Sequence, residues 1–328
     1  MLTPAPGLTP ELVAEWLAEH WGLIGGRASY LPAGAGSHNW IVAAGESKWF
    51  VKVDRAGPGS EFFDATLATV AALAEAGADM VLGPVRDLTG EPRHRVSPEW
   101  EAAVFPYVHG RNATRGLPDR TLVAQAIGRL HASDLIPSEA LRWAPGWRQP
   151  ELRQLLEHEL DRRWEAGPFG ERARALLIDD RVGIVRLLDL DTRLVAQLDE
   201  SRDPWVMTHG EPNSVNVMID AAGRVVLIDC NAMMLAPRER DVRVLLYGHD
   251  GVERAGGADV IAAYQSLAGP VRPRAFVMEL FVAEWHLMEI GGYAQQFAGP
   301  HEDTDDVRAA WATFASYLPV RKNWPQLV

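Results

Sequence analysis

Met207 to Asp241 reads MTHGEPNSVNVMIDAAGRVVLIDCNAMMLAPRERD, a stretch in which polar loops flank short apolar runs. Val217, Met218 and Ile219 form one run and Val225 to Ile228 the other, with Ala222-Gly223 between them as a turn, which is the pattern of a small hairpin. Such a hairpin brings its two flanking loops side by side. One loop carries His209, Glu211, Asn213 and Asn216, and the other opens with Asp229. A carboxylate, an amide five residues later and an aspartate beyond a hairpin are the set that phosphoryl transfer needs. Glu211 can accept the proton of an attacking hydroxyl, while Asn216 and Asp229 can hold magnesium on nucleotide phosphates. Singly, each residue has a plainer reading: His-Gly-Glu as a turn, Asn216 as a turn amide, Asp229 as a strand end bonded to backbone donors. Their order and spacing make a joint site the stronger reading.

The rest of the composition narrows the partners. The 328 residues are 47% hydrophobic and 23% charged, the profile of a globular protein large enough for one big domain or two lobes. With 32 basic against 44 acidic side chains the formal charge is −12. That argues against nucleic acid, whose phosphates call for basic patches, and suits a cationic small molecule. Cys230 is the single cysteine, so an internal disulfide and a thiolate cluster are excluded. His209, His249 and Cys230 match no common zinc spacing. No basic-then-apolar leader opens the sequence, and no apolar run approaches the roughly 20 residues of a membrane span, so a cytoplasmic location without a membrane partner is expected.

Upstream, Pro10 to Trp21 places Leu12, Val13, Trp16 and Leu17 on one helical face. Strands are expected at Ala28 to Leu31, Asn39 to Ala43, Lys48 to Val53, Met80 to Val85 and Glu101 to Val108, making a five-stranded lobe. Between the first two lies Gly34-Ala35-Gly36-Ser37-His38, whose backbone amides can cradle phosphate, although the same residues would also serve as a plain hairpin turn. Lys52 stands in an apolar strand, where a charge is costly unless paired, and it alternates with Val51 and Val53. A helix is expected from Ser60 to Ala76, with Glu61 and Asp64 early in it where acids complement the helix dipole. His109 to Asn112 is a polar break. Helical patterns follow through Leu130-His131, about Pro150 to Ala166, Glu171 to Ser201, Asp259 to Leu267, Arg274 to Phe297, and a last helix ending at Leu318.

His209-Gly210-Glu211, Asn216 and Ile228-Asp229 resemble the HGD…N…D motifs of the aminoglycoside phosphotransferases. Leu235 to Asp241, LAPRERD, is similar to the spectinomycin phosphotransferase branch of that family. The resemblance spans nearly the whole chain. It implies an α+β, bilobal, protein-kinase-like fold: a small antiparallel-sheet nucleotide-binding lobe over 1–108 and a larger, mainly helical catalytic and substrate-binding lobe over 109–328. It implies ATP and magnesium, with Glu211 at the catalytic aspartate position, Asn216 and Asp229 as magnesium ligands, Lys52 with Gly36 and Ser37 on the phosphates, and Glu61 or Asp64 of the following helix as the partner of Lys52. Backbone groups from Phe105 through Tyr107 to Val108 would meet the adenine edge, with His109 to Asn112 as the hinge between the lobes. Glu284, His286 and Glu289 on the late helix would meet the acceptor, a small hydroxylated amine of which spectinomycin is the leading guess, in a monomer or homodimer.

Four positions depart from the branch. Glu211 stands for the usual aspartate, Asn213-Ser214-Val215 precedes Asn216 in place of His-Pro-Gly, Asp229-Cys230-Asn231 replaces Asp-Trp-Asp, and Trp285-His286-Leu287 replaces Trp-Asp-Leu. The nucleotide and metal positions survive while those nearer the acceptor change. That pattern points to an altered acceptor, against a rival reading as a nucleotide- or protein-binding module that no longer transfers phosphate.

Overall fold

The computed structural model describes residues 1–34, 36–57, 59–146, 149–199, 204–247 and 253–320; Ala35, Ser201 and His249, named above, lie outside them. The chain folds into two compact units. The first joins Met1–Trp143, Trp205–Leu245 and Ala255–Val271; the second joins Ala144–Pro204, Leu246–Arg254 and Arg272–Val328.

The first unit opens with α1 (Pro10–Trp21), whose start is set by Thr9 accepting from the Leu12 amide and by Pro10 in the first turn. Strands β1 (Arg27–Leu31), β2 (His38–Ala44) and β3 (Ser47–Arg55) follow, then α2 (Ser60–Glu75), β4 (His94–Arg95) and β5 (Trp100–Pro106). The sheet runs β1-β2-β3-β5-β4, with antiparallel pairing throughout. Strand alternation gives it two faces. Trp40, Val42, Val51, Val53, Ala102 and Val104 pack with Val13, Trp16, Leu17 and Trp21 of α1. Phe50, Ala103 and Phe105 pack with Leu67 of α2 on the other face. Lys52 pairs in register with Asn39 and Ala103, so it lies on the α2 face, turned away from Val51 and Val53 as expected.

Met80 to Val85 is not the fifth strand. It makes isolated bridges, Val81 with Leu227 and Val85 with Val104, and the edge is taken by the two-residue β4. Pro84 has no N–H to donate and so interrupts a ladder. Met80 and Leu82 instead bond both backbone groups of Leu227, at 2.7 and 3.0 Å.

Part of the expected hinge is also strand: β6 (Gly110–Asn112) pairs with the central hairpin. Helix α3 (Leu117–His131) follows. The chain then builds the second unit from α4 (Gln149–Gln154), a π-helical turn at Leu155–Glu159, α5 (Gly170–Asp179) and α6 (Arg181–Val195). Two single helices expected here are thus each broken. The wider π turn keeps Leu152, Leu155, Leu156 and Leu160 in one core with Ala283, Leu287 and Phe297.

Back in the first unit come β7 (Val206–Thr208), β8 (Val217–Asp220), β9 (Val225–Leu227), β10 (Met234–Ala236), α7 (Glu239–Leu246) and α8 (Gly257–Ala268); α9 (Ala275–Ala298) and α10 (Asp305–Ser316) complete the second. β10 pairs with β7, and β6-β8-β9 form a three-stranded sheet. A small antiparallel sheet followed by a mainly helical remainder is the expected α+β order. Among the described residues no helix is long and apolar enough to cross a membrane.

Gly110 marks the tightest contact of the central hairpin, since a Cβ there would lie 2.9 Å from the Asp220 Cα and closer still to the Ile219 carbonyl oxygen. Gly110→Ala should therefore lower stability by about 2–3 kcal/mol through overpacking. Gly292→Ala, exposed inside α9 with nothing within 4 Å, should raise it by roughly 0.5–1 kcal/mol through helix propensity. Urea midpoints of the two variants check both signs.

Candidate active site

The His209–Asn216 loop leaves β7 and is held from below by a buried carboxylate. Asp241, in the first turn of α7, accepts from the amides of His209 at 2.7 Å and Gly210 at 2.6 Å, and from His131 Nε2 at 3.0 Å. The Tyr264 hydroxyl donates in turn to His131 Nδ1 at 2.9 Å. Burial works against the charge of Asp241, but the His131 hydrogen bond and the nearby Arg240 charge outweigh it and hold the carboxyl below the usual range. His131 is thus a packed support of the loop.

His209 is equally structural. Its Nε2 donates to the Ile228 carbonyl at 3.0 Å and its Nδ1 accepts from the Glu211 amide at 3.2 Å, an arrangement that requires the neutral ring. Burial lowers its pKa and keeps it neutral. Between it and Glu211 stands Gly210, with φ +95° and the Arg240 guanidinium where a Cβ would be, at 2.6 Å. Only glycine fits that turn.

Beyond it, Asn213 Oδ1 accepts from the amides of Val215 at 3.0 Å and Asn216 at 3.2 Å, closing the loop. Asn216 Nδ2 donates to the Glu211 carbonyl at 3.2 Å, which commits the nitrogen and leaves the amide oxygen as the atom that could coordinate a cation. The Ile228 amide donates to the Asn216 carbonyl at 3.0 Å, bringing Asn216 beside Asp229. Asp229 has φ +56°, the one left-handed non-glycine among the described residues, a strained conformation of the kind that collects at functional sites. Glu211 is close enough to feel it: burial first, then the Asp229 charge, raise the Glu211 pKa, the direction that suits a proton acceptor.

Lys52, 8% exposed, closes the set with an ion pair to Asp229. This corrects the expected partners on α2. Asp64 is bonded to Arg93 at 3.0 Å, Glu61 is exposed, and the buried residues of α2, Thr66 to Leu73, include no acid. Arg93 also reaches Glu101 at 2.7 Å, an anchor the sequence did not announce, because Glu91-Pro92-Arg93-His94 reads as a solvated polar run.

The structure therefore brings Lys52, Glu211, Asn216 and Asp229 together in one unit. Gly36, with φ +88°, and the buried Ser37 lie in the turn that enters β2 on the same sheet. Of the adenine candidates, the Phe105 ring belongs to the sheet core, and the Tyr107 amide donates to the Lys48 carbonyl at 3.1 Å; Val108 is half-buried beside β6. Glu284, His286 and Glu289 are on α9 in the second unit. There Glu284 accepts from the Gly146 amide at 3.2 Å, and His286 Nδ1 contacts the Val282 carbonyl at 3.0 Å with its ring edge-on to Tyr317.

Among the described residues no group of three or more His, Cys, Asp or Glu side chains converges as a metal cage. One carboxylate and one amide are instead the donor set that magnesium uses when phosphates and water complete its shell. The Cys230 thiol is buried and its pKa pushed up by that burial, so it serves neither as ligand nor as nucleophile.

Asp241→Asn turns an amide N–H toward donors that need an acceptor and should cost about 2–4 kcal/mol. The Asp241 pKa is depressed in the fold, so its contribution is present above the ordinary carboxylate range and is lost as pH falls through the depressed value. The gap between the denaturation midpoints of the wild type and the Asp241→Asn variant should accordingly narrow below about pH 4; a gap constant down to about pH 2 would contradict it.

The profile of the phosphotransferase enzyme family (APH) matches residues 27–276. Protein StrN of Streptomyces griseus is 28% identical over 265 residues, which cover 75% of this chain and 74% of that protein. Among solved structures, spectinomycin phosphotransferase APH(9)-Ia in complex with ADP and spectinomycin superposes with a TM-score of 0.73 at 17% identity, covering 94% of both chains. Choline kinase LicA from Streptococcus pneumoniae gives 0.60 at 15% identity, covering 94% of this chain and 97% of that one. The kinase-like fold is shared with both, and the family match extends over most of the sequence: the chain belongs to the phosphotransferase enzyme family.

Proposed function

We propose that the protein transfers the γ-phosphate of ATP, with magnesium, to a hydroxyl of a small amine-bearing acceptor, an aminocyclitol such as spectinomycin first among them. The observation that carries this reading is the convergence of Lys52, Glu211, Asn216 and Asp229 around one hairpin. Residues 1–108 would serve the nucleotide and 109–328 the chemistry and the acceptor.

Each residue has a role that its surroundings support. Lys52, held on the α2 face of the sheet, supplies positive charge to the phosphates, and the Gly36-Ser37 turn offers backbone amides beside it. Tyr107 directs its amide toward β3, and Val104 directs its carbonyl away from β3 to the Val85 amide at 2.7 Å. By alternation the Pro106 carbonyl also turns away from β3, where it can accept from the adenine amino group, with Val108 next along that edge. Asp229 and Asn216 are the protein ligands for magnesium, which when bound neutralises charge on the phosphates. Glu211 accepts the proton of the acceptor hydroxyl as the new oxygen–phosphorus bond forms and the bond to the ADP leaving group breaks. Its raised pKa, from burial and the Asp229 charge, makes it a better acceptor of that proton than a solvated carboxylate.

The amine-bearing class draws on three supports. The charge of −12 favours a cation. Glu284 and Glu289 carry carboxylates on α9, while His286, standing where an aspartate is expected, removes one and counts against a strongly cationic acceptor. Structural relatives that share the fold include amicoumacin, choline, ethanolamine and aminopropanol kinases.

Glu211→Gln should cut turnover by about 10²–10⁴ with magnesium-ATP affinity retained, as loss of a general base does; near-full turnover would make the loop structural and favour a module that no longer transfers phosphate. Asp229→Ala should abolish the magnesium dependence of the thermal shift that ATP produces, and a shift equal to wild type would remove Asp229 as a ligand.

The acceptor is settled by product mass after incubation with ATP, magnesium and a panel of aminocyclitols, other aminoglycosides, amino alcohols and neutral sugars. Phosphate addition confined to amine-bearing members is expected. Addition to neutral sugars alone would overturn the amine claim.

A further inference from the structure

Asn39 opens β2 immediately after the glycine turn and is 5% exposed. Its Nδ2 donates to the Ala33 carbonyl at 2.6 Å, back across the turn, and the same nitrogen would lie 3.1 Å from a Cβ on Gly34. The amide is thus wedged into the base of the turn. Its other end is different in kind: Oδ1 is buried and has no hydrogen-bond partner. A buried acceptor without a donor is costly, and so it calls for a reason.

Register supplies one. Asn39 is directly opposite Lys52, and cross-strand pairs on one sheet face have Cβ atoms about 4.5–5.5 Å apart, well within reach of a lysine ammonium. That ammonium is engaged by Asp229.

Resting on the proposed reaction, we propose that Asn39 is the positioning residue that couples the glycine turn to Lys52 for triphosphate binding. Its Nδ2 holds the Ala33 carbonyl and stands against Gly34, at the base of the turn. Its Oδ1 is the acceptor that the Lys52 ammonium takes up once Asp229 turns from Lys52 to the magnesium on the nucleotide. Lys52 then keeps a fixed orientation toward the phosphates without a carboxylate competing for its charge. A neutral amide fits this role and an aspartate does not. An acid at position 39 would repel phosphate and bind Lys52 permanently, and it would lose the donor that holds the turn.

The experiment compares wild type with Asn39→Ala and the isosteric Asn39→Asp by calorimetric titration with magnesium-ATP and with AMP, together with amide hydrogen exchange of the ligand-free protein. Both variants should weaken magnesium-ATP about tenfold or more, the scale of one lost hydrogen bond, while AMP affinity stays at the wild-type value. Amides of Gly34, Gly36, Ser37 and His38 should exchange faster in both variants, with the β3 and β5 amides unchanged. Equal losses for ATP and AMP would mark a general structural role and overturn the inference. So would unchanged exchange in the turn, or wild-type ATP binding in both variants. Wild-type protein that binds no magnesium-ATP would instead overturn the proposed reaction and the inference with it, which separates the two failures.

Discussion

The buried carboxylate of Asp241 is the interaction on which the rest of the site depends. An ion removed from water is destabilising unless its lone pairs are filled, and here two backbone amides and an imidazole fill them. The two amides belong to His209 and Gly210, the residues directly before Glu211. The direction in which Glu211 leaves the backbone is therefore set by α7, while α3 and α8 set the imidazole through His131 and Tyr264. Three helices and a loop meet at one charge. A neutral knot of the same size would hold the loop less tightly, because charge-assisted hydrogen bonds are about twice as strong as neutral ones.

From that knot the order spreads through backbone contacts more than through side chains. The β8–β9 hairpin joins Asn216 to Ile228, β6 joins the hairpin to the end of β5 through Gly110, and Met80 and Leu82 join β9 to the segment after α2. The sheet that carries Lys52 is thereby placed against the loop that carries Asp229. Nothing in this scaffold requires particular side chains between Asn213 and Val215 beyond the Asn213 turn, which explains how that loop differs from the related branch while Asn216 keeps its position.

What can be read from the sequence is what local rules govern. Thr9, Pro10 and a four-residue apolar face delimit α1, and its observed bounds are those expected. The hairpin, the strand lysine and the loop amide are legible because period-two alternation and turn residues act over a few positions. Contacts across long separations are not. The partner of Lys52 is 177 residues away, so the nearby acids of α2 are the natural but mistaken choice. The short β4 carries too few residues to show a pattern, and Met80 to Val85 has the apolar character of a strand while Pro84 denies it a ladder. The broken helices of the second unit escape notice for the same reason, since a π turn answers to the core around it and not to its own residues.

The anchoring of α2 by Arg93 has a bearing on control. In a catalytic domain where the strand lysine is paired to a neighbouring helix, swinging that helix outward disconnects the lysine and silences the enzyme, so the helix can act as a lever for partners or modifications. Here the helix grips Arg93 at its first turns, and its buried face is threonine and aliphatic. A displacement of α2 would leave the Lys52 pair in place. The pairing of Lys52 with Asp229 thus uncouples the lysine from the acids of α2.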